Sequence, residues 1–219
     1  MKAMILAAGR GERLRPLTDT TPKPLLEVQG RPLLQWHVER LRDAGFDELI
    51  VNASWLKEQL ADFLGDGSRF GVRVHVSVEP SGALETAGGI VQALPLLGER
   101  FLVVNGDIFT DFDFRALSGM PPNGDLAHLV LVPNPAHHAN GDFGLIDGRV
   151  HDAAGERLTF SGIGVYRREL FAACEPGVRK LAPLLRGAMR ENRVSGETHA
   201  GAWSDVGTPE RLAMLNARN

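Results

Sequence analysis

Leu6-Ala-Ala-Gly-Arg-Gly-Glu-Arg-Leu-Arg-Pro-Leu-Thr-Asp-Thr-Thr-Pro-Lys-Pro-Leu-Leu26 is the stretch on which the reading of this chain turns. The apolar run that leads into it, Ala3 to Ala8, has the length and character of a strand buried on both faces. It empties into a loop holding Gly9 and Gly11, with Arg10, Arg13 and Arg15 close behind and Lys23 fixed between Pro22 and Pro24. Glycines let backbone N–H groups approach a ligand closely. A loop rich in N–H donors and cations, placed directly after a first strand, is what a phosphorylated ligand requires. An idle linker would not concentrate cations and prolines in this way.

Working outward, 219 residues suffice for one well-buried domain. No repeat, low-complexity segment or linker interrupts the chain, so residues 1–219 read as a single domain. The net charge of −3 supplies no global basic field, which argues against nucleic acid as a partner. The local Arg10, Arg13, Arg15 cluster suits a small polyanion instead. One cysteine, Cys174, excludes an intramolecular disulfide and a cysteine-based zinc site, and reads as a small buried hydrophobe. The N-terminal apolar run is shorter than the roughly 7–15 residues of a signal-peptide core and stops at Gly9-Arg10. No segment approaches the roughly 20 apolar residues of a membrane span. A cytoplasmic protein with no membrane partner is expected.

Helix and strand patterns alternate through the first half. Pro32 to Ala44 places Leu33, Leu34, Trp36, His37 and Leu41 on one helical face and ends at Gly45. Glu48 to Asn52 is a short buried strand, Leu56 to Leu64 an amphipathic helix, and Val72 to Val78 an alternating strand. Glu85 to Leu94 is helical and Phe101 to Val104 a buried strand. Such βαβ alternation predicts an α/β fold with a Rossmann-like, mostly parallel sheet flanked by helices. The second half reads as strands at Ala127 to Val132, Phe143 to Ile146, Arg149 to His151 and Thr159 to Tyr166, forming a small antiparallel extension. A helix over Val178 to Glu191, a strand over Val194 to His199 and a terminal helix capped by Thr208 complete the chain.

Three further constellations carry chemistry. Asn105-Gly106-Asp107 follows a buried strand, and ligands of open parallel sheets bind at the carboxyl ends of strands. Asp107 there suits Mg²⁺, which takes one or two carboxylates together with phosphate oxygens; a local turn role is the alternative. Asp205, in Trp203-Ser-Asp-Val-Gly-Thr-Pro209, is either a second such carboxylate or part of the cap of the last helix. Glu79-Pro-Ser-Gly-Ala-Leu-Glu-Thr-Ala-Gly-Gly89 offers small residues against which a flat base can lie. The opening loop is not a P-loop, because no Gly-Lys-Ser/Thr follows. Nor is it a dinucleotide turn: Leu14 stands where a third glycine belongs, and the second strand ends in Asn52 rather than an acid. His137-His138 reads as part of a solvated loop.

Together, the Leu-Ala-Ala-Gly-x-Gly-x-Arg-Leu-x-Pro-Leu-Thr stretch with Pro22-Lys23-Pro24-Leu25, the Glu85-Thr86-Ala-Gly-Gly element, Asn105-Gly106-Asp107 and Trp203-x-Asp205-Val-Gly-Thr-Pro resemble the sugar-1-phosphate nucleotidylyltransferases. The resemblance implies the nucleotide-diphospho-sugar transferase type of fold and Mg²⁺-dependent joining of a nucleoside triphosphate to a sugar-1-phosphate, releasing pyrophosphate. It implies catalytic roles for Arg13 and Lys23, and metal binding by Asp107 and Asp205. The nucleotide is expected against Ala8, Gly9, Gly11, Glu12, Arg13, Lys23, Pro80, Gly82, Thr86 and Gly88. The sugar phosphate is expected near Asn105, Asn140, Asp142 and Gly162. Compact length, the Gly65 to Gly71 segment and Val104 to Asp107 resemble the uridylyltransferase branch of bacterial cell-wall recycling, implying UTP and N-acetylmuramic acid 1-phosphate and a monomer or weak homodimer. Transfer to mannose- or glucose-1-phosphate, with another base, is the alternative within the family. A sugar-nucleotide-sensing subunit is the non-enzymatic alternative. One departure stands out: many hexose-1-phosphate relatives carry Glu-Lys-Pro where this chain has Glu156-Arg157-Leu158, so an altered sugar pocket is expected.

Overall fold

The computed structural model describes residues 1–80 and 84–217. In chain order these form β1 (Lys2–Leu6), α1 (Leu17–Thr20), β2 (Glu27–Val28), β3 (Arg31–Pro32), α2 (Leu33–Asp43), β4 (Glu48–Ala53), α3 (Lys57–Leu64), β5 (Arg73–Val78), α4 (Glu85–Ala93), β6 (Arg100–Asn105), β7 (Ile108–Thr110), β8 (Ala127–Val132), β9 (Phe143–Ile146), β10 (Arg149–His151), β11 (Glu156–Arg167), α5 (Ala182–Arg190), β12 (Val194–Thr198), β13 (Trp203–Asp205) and α6 (Pro209–Asn216).

One nine-stranded sheet runs β5-β4-β1-β6-β11-β8-β12-β10-β9. The first four strands are mutually parallel, as the βαβ pattern predicts. β11 then pairs antiparallel with both β6 and β8, and β12 lies parallel to β8. The antiparallel part is therefore not an appendage but the continuation of the main sheet. β9 pairs back onto the start of β11, so this end curls over itself. A register shift between Phe160 and Ile163 lets the 12-residue strand bend, as bulges do.

The sheet separates two apolar clusters. Ala3 and Ile5 of β1 face one side, with Leu34, Val38 and Leu41 of α2. Met4 faces the other, with Ala87 and Ile90 of α4 and Leu185 of α5. This two-sided burial is why strands such as β1 and β8 read as continuous apolar runs. Each fully buried large side chain, Phe101, Tyr166 and Phe171 among them, contributes on the order of 1.5–3 kcal/mol.

Local departures from the sequence reading have physical causes. β1 leaves the ladder at Leu6 because the next amide, Ala7 N, donates to the Asn52 side chain at 2.6 Å. The helix expected from Val178 begins only at Ala182. The backbone before it is engaged by α4: Arg179 N donates to Leu84 O, and Ala87 N and Gly88 N both donate to Arg179 O. Among the described residues no helix is long and apolar enough to cross a membrane.

His37 lies on the buried face of α2, with no hydrogen-bond partner at Nε2. Burial pushes its imidazole down to about 4, against a smaller opposing effect of a hydrogen bond to the Ile108 backbone. Because the unfolded chain takes up this proton first, stability is full above about pH 6.5 and falls as the pH drops toward 4. The loss from this one group is about 3 kcal/mol. Urea denaturation at pH 7 and pH 4 checks it: His37→Gln should show a correspondingly smaller decline.

Candidate active site

The strand order sets the carboxyl ends of β5, β4, β1 and β6 side by side, and a cleft of about 350 Å³ opens above them. Its floor is a buried polar network. Asn52 at the end of β4 accepts from Ala7 N and donates to Glu79 Oε1 at 2.6 Å, while Glu79 Oε2 accepts from Leu84 N at 3.0 Å. Gly106 N donates to Leu6 O at 2.8 Å, which presses the exits of β6 and β1 together. The opening loop is shaped by Gly11, whose φ of +70° suits glycine. A Cβ there would lie 3.0 Å from Thr18 Cγ2 and 3.2 Å from Lys23 Cβ. Thr18 donates back to Gly11 O at 2.9 Å. The Trp55 indole donates to Thr18 O at 3.0 Å, and the Arg10 guanidinium stacks 4.3 Å from the Trp55 ring centroid. Trp55 thus clasps the loop from β4's side, a contact that nothing in the sequence announced.

Lys23 sits buried on a short 3₁₀ turn and its Nζ lies 2.6 Å from Asp107 Oδ2. A second cavity, also about 350 Å³, adjoins this pair and is lined by Arg13, Asn105, Asp107, His137, His138, Ser161, Trp203 and Asp205. Two short strands create it. β13 pairs antiparallel with β7, setting Asp205 opposite Ile108, and Val206 N donates to Asp107 O at 2.7 Å. Asp205 is therefore not the cap of α6; that role belongs to Thr208, whose hydroxyl accepts from Arg211 N at 3.4 Å. Instead Asp205 is held by Arg211 Nη1 at 2.5 Å, and the same nitrogen donates to His137 Nε2 at 2.7 Å. His138 pairs with Asp142 at 3.1 Å. The two histidines thus belong to the cavity wall, one bonded to Arg211 and the other to Asp142, rather than to a solvated loop.

The expected site residues fall into groups. Ala8, Gly9, Gly11, Lys23, Thr86, Asn105 and Asp107 line the first cleft. Arg13 is exposed and lines the second cavity with Asp107 and Asp205. Glu12 and Pro80 are exposed and line neither. Gly82 lies outside the described residues. Gly88 faces away from the cleft: a Cβ on it would lie 2.3 Å from Gly177 O. Asn140 is exposed and offers only its carbonyl, to Arg157 Nε. Asp142 works from behind, holding His138 and accepting from Phe160 N at 2.9 Å. Gly162, at φ +83°, leaves room for Asn105, whose Nδ2 would be 2.6 Å from a Cβ there. Gly162→Ala is expected to cost about 1–2 kcal/mol in backbone strain alone and to displace Asn105. Thermal denaturation combined with pyrophosphate release would show both effects. Asn52 and Glu79 were missed because uncharged or isolated polar residues at strand ends give no distinctive spacing. Arg157, at the departure from the hexose pattern, is consumed by the backbone carbonyls of Asn140, Gly141, Asp142 and Asp152.

Asp107 and Asp205 line one cavity, and carboxylates of this kind suit Mg²⁺, with phosphate oxygens completing its shell. Among the described residues no cluster of three or more His, Cys, Asp or Glu side chains is built to hold a metal by itself. Two carboxylates are what the protein would offer to an ion arriving with phosphate.

The family model described as "Nucleotidyl transferase" matches residues 2–159, well over half of the chain. The chain belongs to the nucleotidyl transferase family. Among its relatives is the N-acetylmuramate alpha-1-phosphate uridylyltransferase of Neisseria meningitidis serogroup B, 60% identical over 225 residues, covering 99% of this chain and 97% of that protein. The enzyme of the same name from Caulobacter vibrioides is 33% identical over 231 residues, covering 99% and 96%. A Bacillus anthracis protein solved in complex with sucrose superposes with a TM-score of 0.87 at 23% identity over 99% of this chain and 94% of its own, which shows the fold. For a nucleotidyl transferase the arrangement is chemically apt: a glycine-lined cleft and a second cavity share Asn105 and Asp107, and Lys23 in the first pairs with Asp107.

Proposed function

We infer that this nucleotidyl transferase joins UTP to N-acetylmuramate 1-phosphate, giving the UDP-sugar and pyrophosphate, as a step in reclaiming cell-wall sugar in the cytoplasm. The observation that carries a two-substrate transfer is that Asn105 and Asp107 line both cavities. A nucleotide in the first and a sugar phosphate in the second would meet at Asp107, beside Lys23. The 60% identity to the Neisseria enzyme supports the choice of base and sugar. The working form we propose is a monomer or weak homodimer.

The reaction is in-line displacement. An oxygen of the sugar phosphate forms a bond to the α-phosphorus of UTP as the α–β bridging bond breaks, and pyrophosphate leaves with that bond's electrons. The nucleophile is already an anion, so no general base is required. The barrier is the approach of two polyanions. Lys23, buried and pointed at the junction, lowers it by placing a positive charge where negative charge develops. Arg13, exposed in the second cavity, would add a planar fork of donors toward phosphate oxygens. Asp107 and Asp205 would hold Mg²⁺, which when bound supplies charge neutralisation to the phosphates. Arg211 fixes the orientation of Asp205 and is itself bonded to His137.

The test is pyrophosphate release, crossing four nucleoside triphosphates with muramyl, glucosaminyl, glucosyl and mannosyl 1-phosphates. UTP with N-acetylmuramate 1-phosphate should give the highest kcat/KM. A higher value for another pair would replace this assignment.

A further inference from the structure

Helix α1 is only four residues long, so its last carbonyls have no partner within the helix and need donors from outside it. The connection from β4 into α3 supplies them. The Trp55 indole donates to Thr18 O at 3.0 Å, and Gln59 Nε2 donates to Thr20 O at 3.0 Å. Thr18 is itself buried, and its hydroxyl donates to Gly11 O at 2.9 Å, so the hold on α1 passes to the glycine turn. Asn52, just before this connection, accepts from Ala7 N at 2.6 Å where β1 ends. The stretch from Ala7 to Thr20 is thus gripped at both ends by residues 52–59. Those residues are anchored in turn, because Ala53 and Leu60 belong to the apolar cluster that contains Leu34 and Val38 of α2.

The Trp55 ring also takes the Arg10 guanidinium, 4.3 Å from its centroid. Arg10 lines neither cavity, whereas Lys23 lines the first and Arg13 the second. The stack therefore holds one loop cation aside from the cleft that Ala8, Gly9 and Gly11 line. A glycine-rich arch has many accessible backbone conformations. A loop free to sample them binds its ligand more weakly, in proportion to the fraction of time spent in the competent one. The clasp from Trp55 raises that fraction. Other groups of the site are held independently of it. Lys23 sits on its own turn and pairs with Asp107, and Leu14, next to Arg13, is buried in a separate cluster with Val28 and Val206. Loosening the clasp should thus weaken nucleotide binding while sparing the chemical step and the second cavity.

We propose that Trp55 is a positioning residue for the nucleotide, acting through Thr18 and Arg10 to keep the loop from Ala7 to Thr20 in the conformation that receives a triphosphate. This rests on the first cleft being the nucleoside triphosphate site. Trp55→Leu should raise the Kd and KM for the preferred triphosphate, expected to be UTP, by on the order of 10-fold. Its kcat, and its KM for the sugar phosphate, should stay within about 2-fold of wild type. Trp55→Phe keeps a ring under Arg10 and loses only the N–H, so it should recover part of the affinity. Gln59→Ala, an exposed change that removes the second bond to α1, should raise the Kd by about 2- to 3-fold. Hydrogen exchange without nucleotide should be faster over residues 7–20 in Trp55→Leu and unchanged in β4 and β6. A role in folding alone would lower kcat at unchanged KM, because fewer molecules would be active, and that result overturns the proposal. So does an unchanged Kd, an unchanged exchange rate in the loop, or an equal rise in both KM values. If wild type binds UTP and Trp55→Leu binds it as tightly, this inference falls alone. If wild type binds none of the four triphosphates, the proposed function falls and this inference with it.

Discussion

Lys23→Ala is expected to lower kcat by about 10²–10³-fold, the usual cost of removing one preorganised charge from a developing transition state. The size of the effect follows from how Lys23 is held. Its side chain is only 10% exposed, its stem packs beside the Gly11 backbone, and its ammonium is 2.6 Å from Asp107. A charge so fixed needs no reorganisation when the phosphates arrive. Truncation also leaves Asp107 without its partner, close to where both substrates carry negative charge, so their approach becomes harder as well. Lys23→Arg should recover only part of the rate, because a planar fork does not fit a pocket shaped for a point charge. Steady-state pyrophosphate release with a parallel Tm measurement separates catalysis from folding. Turnover near wild type in a folded Lys23→Ala variant would remove Lys23 from the mechanism.

Asp107→Asn is the second large effect, with an expected loss of at least about 10²-fold and a weakened response of the residual rate to added Mg²⁺. The substitution preserves shape while removing the charge that pairs with Lys23 and the oxygen donor best suited to a hard cation. Asp107 follows Gly106, whose amide is bonded to Leu6 O, and its own carbonyl accepts from Val206 N, so the backbone should stay in place. The fold is therefore expected to survive and the chemistry to fail. A Mg²⁺ titration of wild type and variant checks this. An unchanged rate and unchanged Mg²⁺ dependence would refute the metal role.

Much of the fold was legible because burial on both faces leaves a plain trace. β8, β9 and β10 have the ranges their apolar patterns indicate, and the four parallel strands follow from βαβ spacing. The opening loop was legible because glycines, prolines and cations crowd together there. β7 and β13 were not: three residues each is too short to show a period. The partners of Asp205 were hidden for a different reason. Arg211 is within one helical turn of Thr208 in sequence, but His137 reaches Arg211 and the neighbourhood of Asp205 only through the fold. The Glu156-Arg157-Leu158 departure was visible in the sequence, but not that the Arg157 guanidinium is spent on four backbone carbonyls.

The sequence by itself determined the fold class, the glycine- and cation-rich loop after β1 and the carboxylates that end β6 and precede α6, since these depend on residue type and local period. Only the tertiary structure decided that Asp107 and Asp205 share a cavity and that Arg13 faces that cavity and not the first cleft. It also decided that Gly88 lies against the backbone of Gly177 and not the cleft. Those facts depend on strand pairing between segments about a hundred residues apart and on where hydrogen bonds are spent, and neither quantity is encoded in any local stretch of the chain.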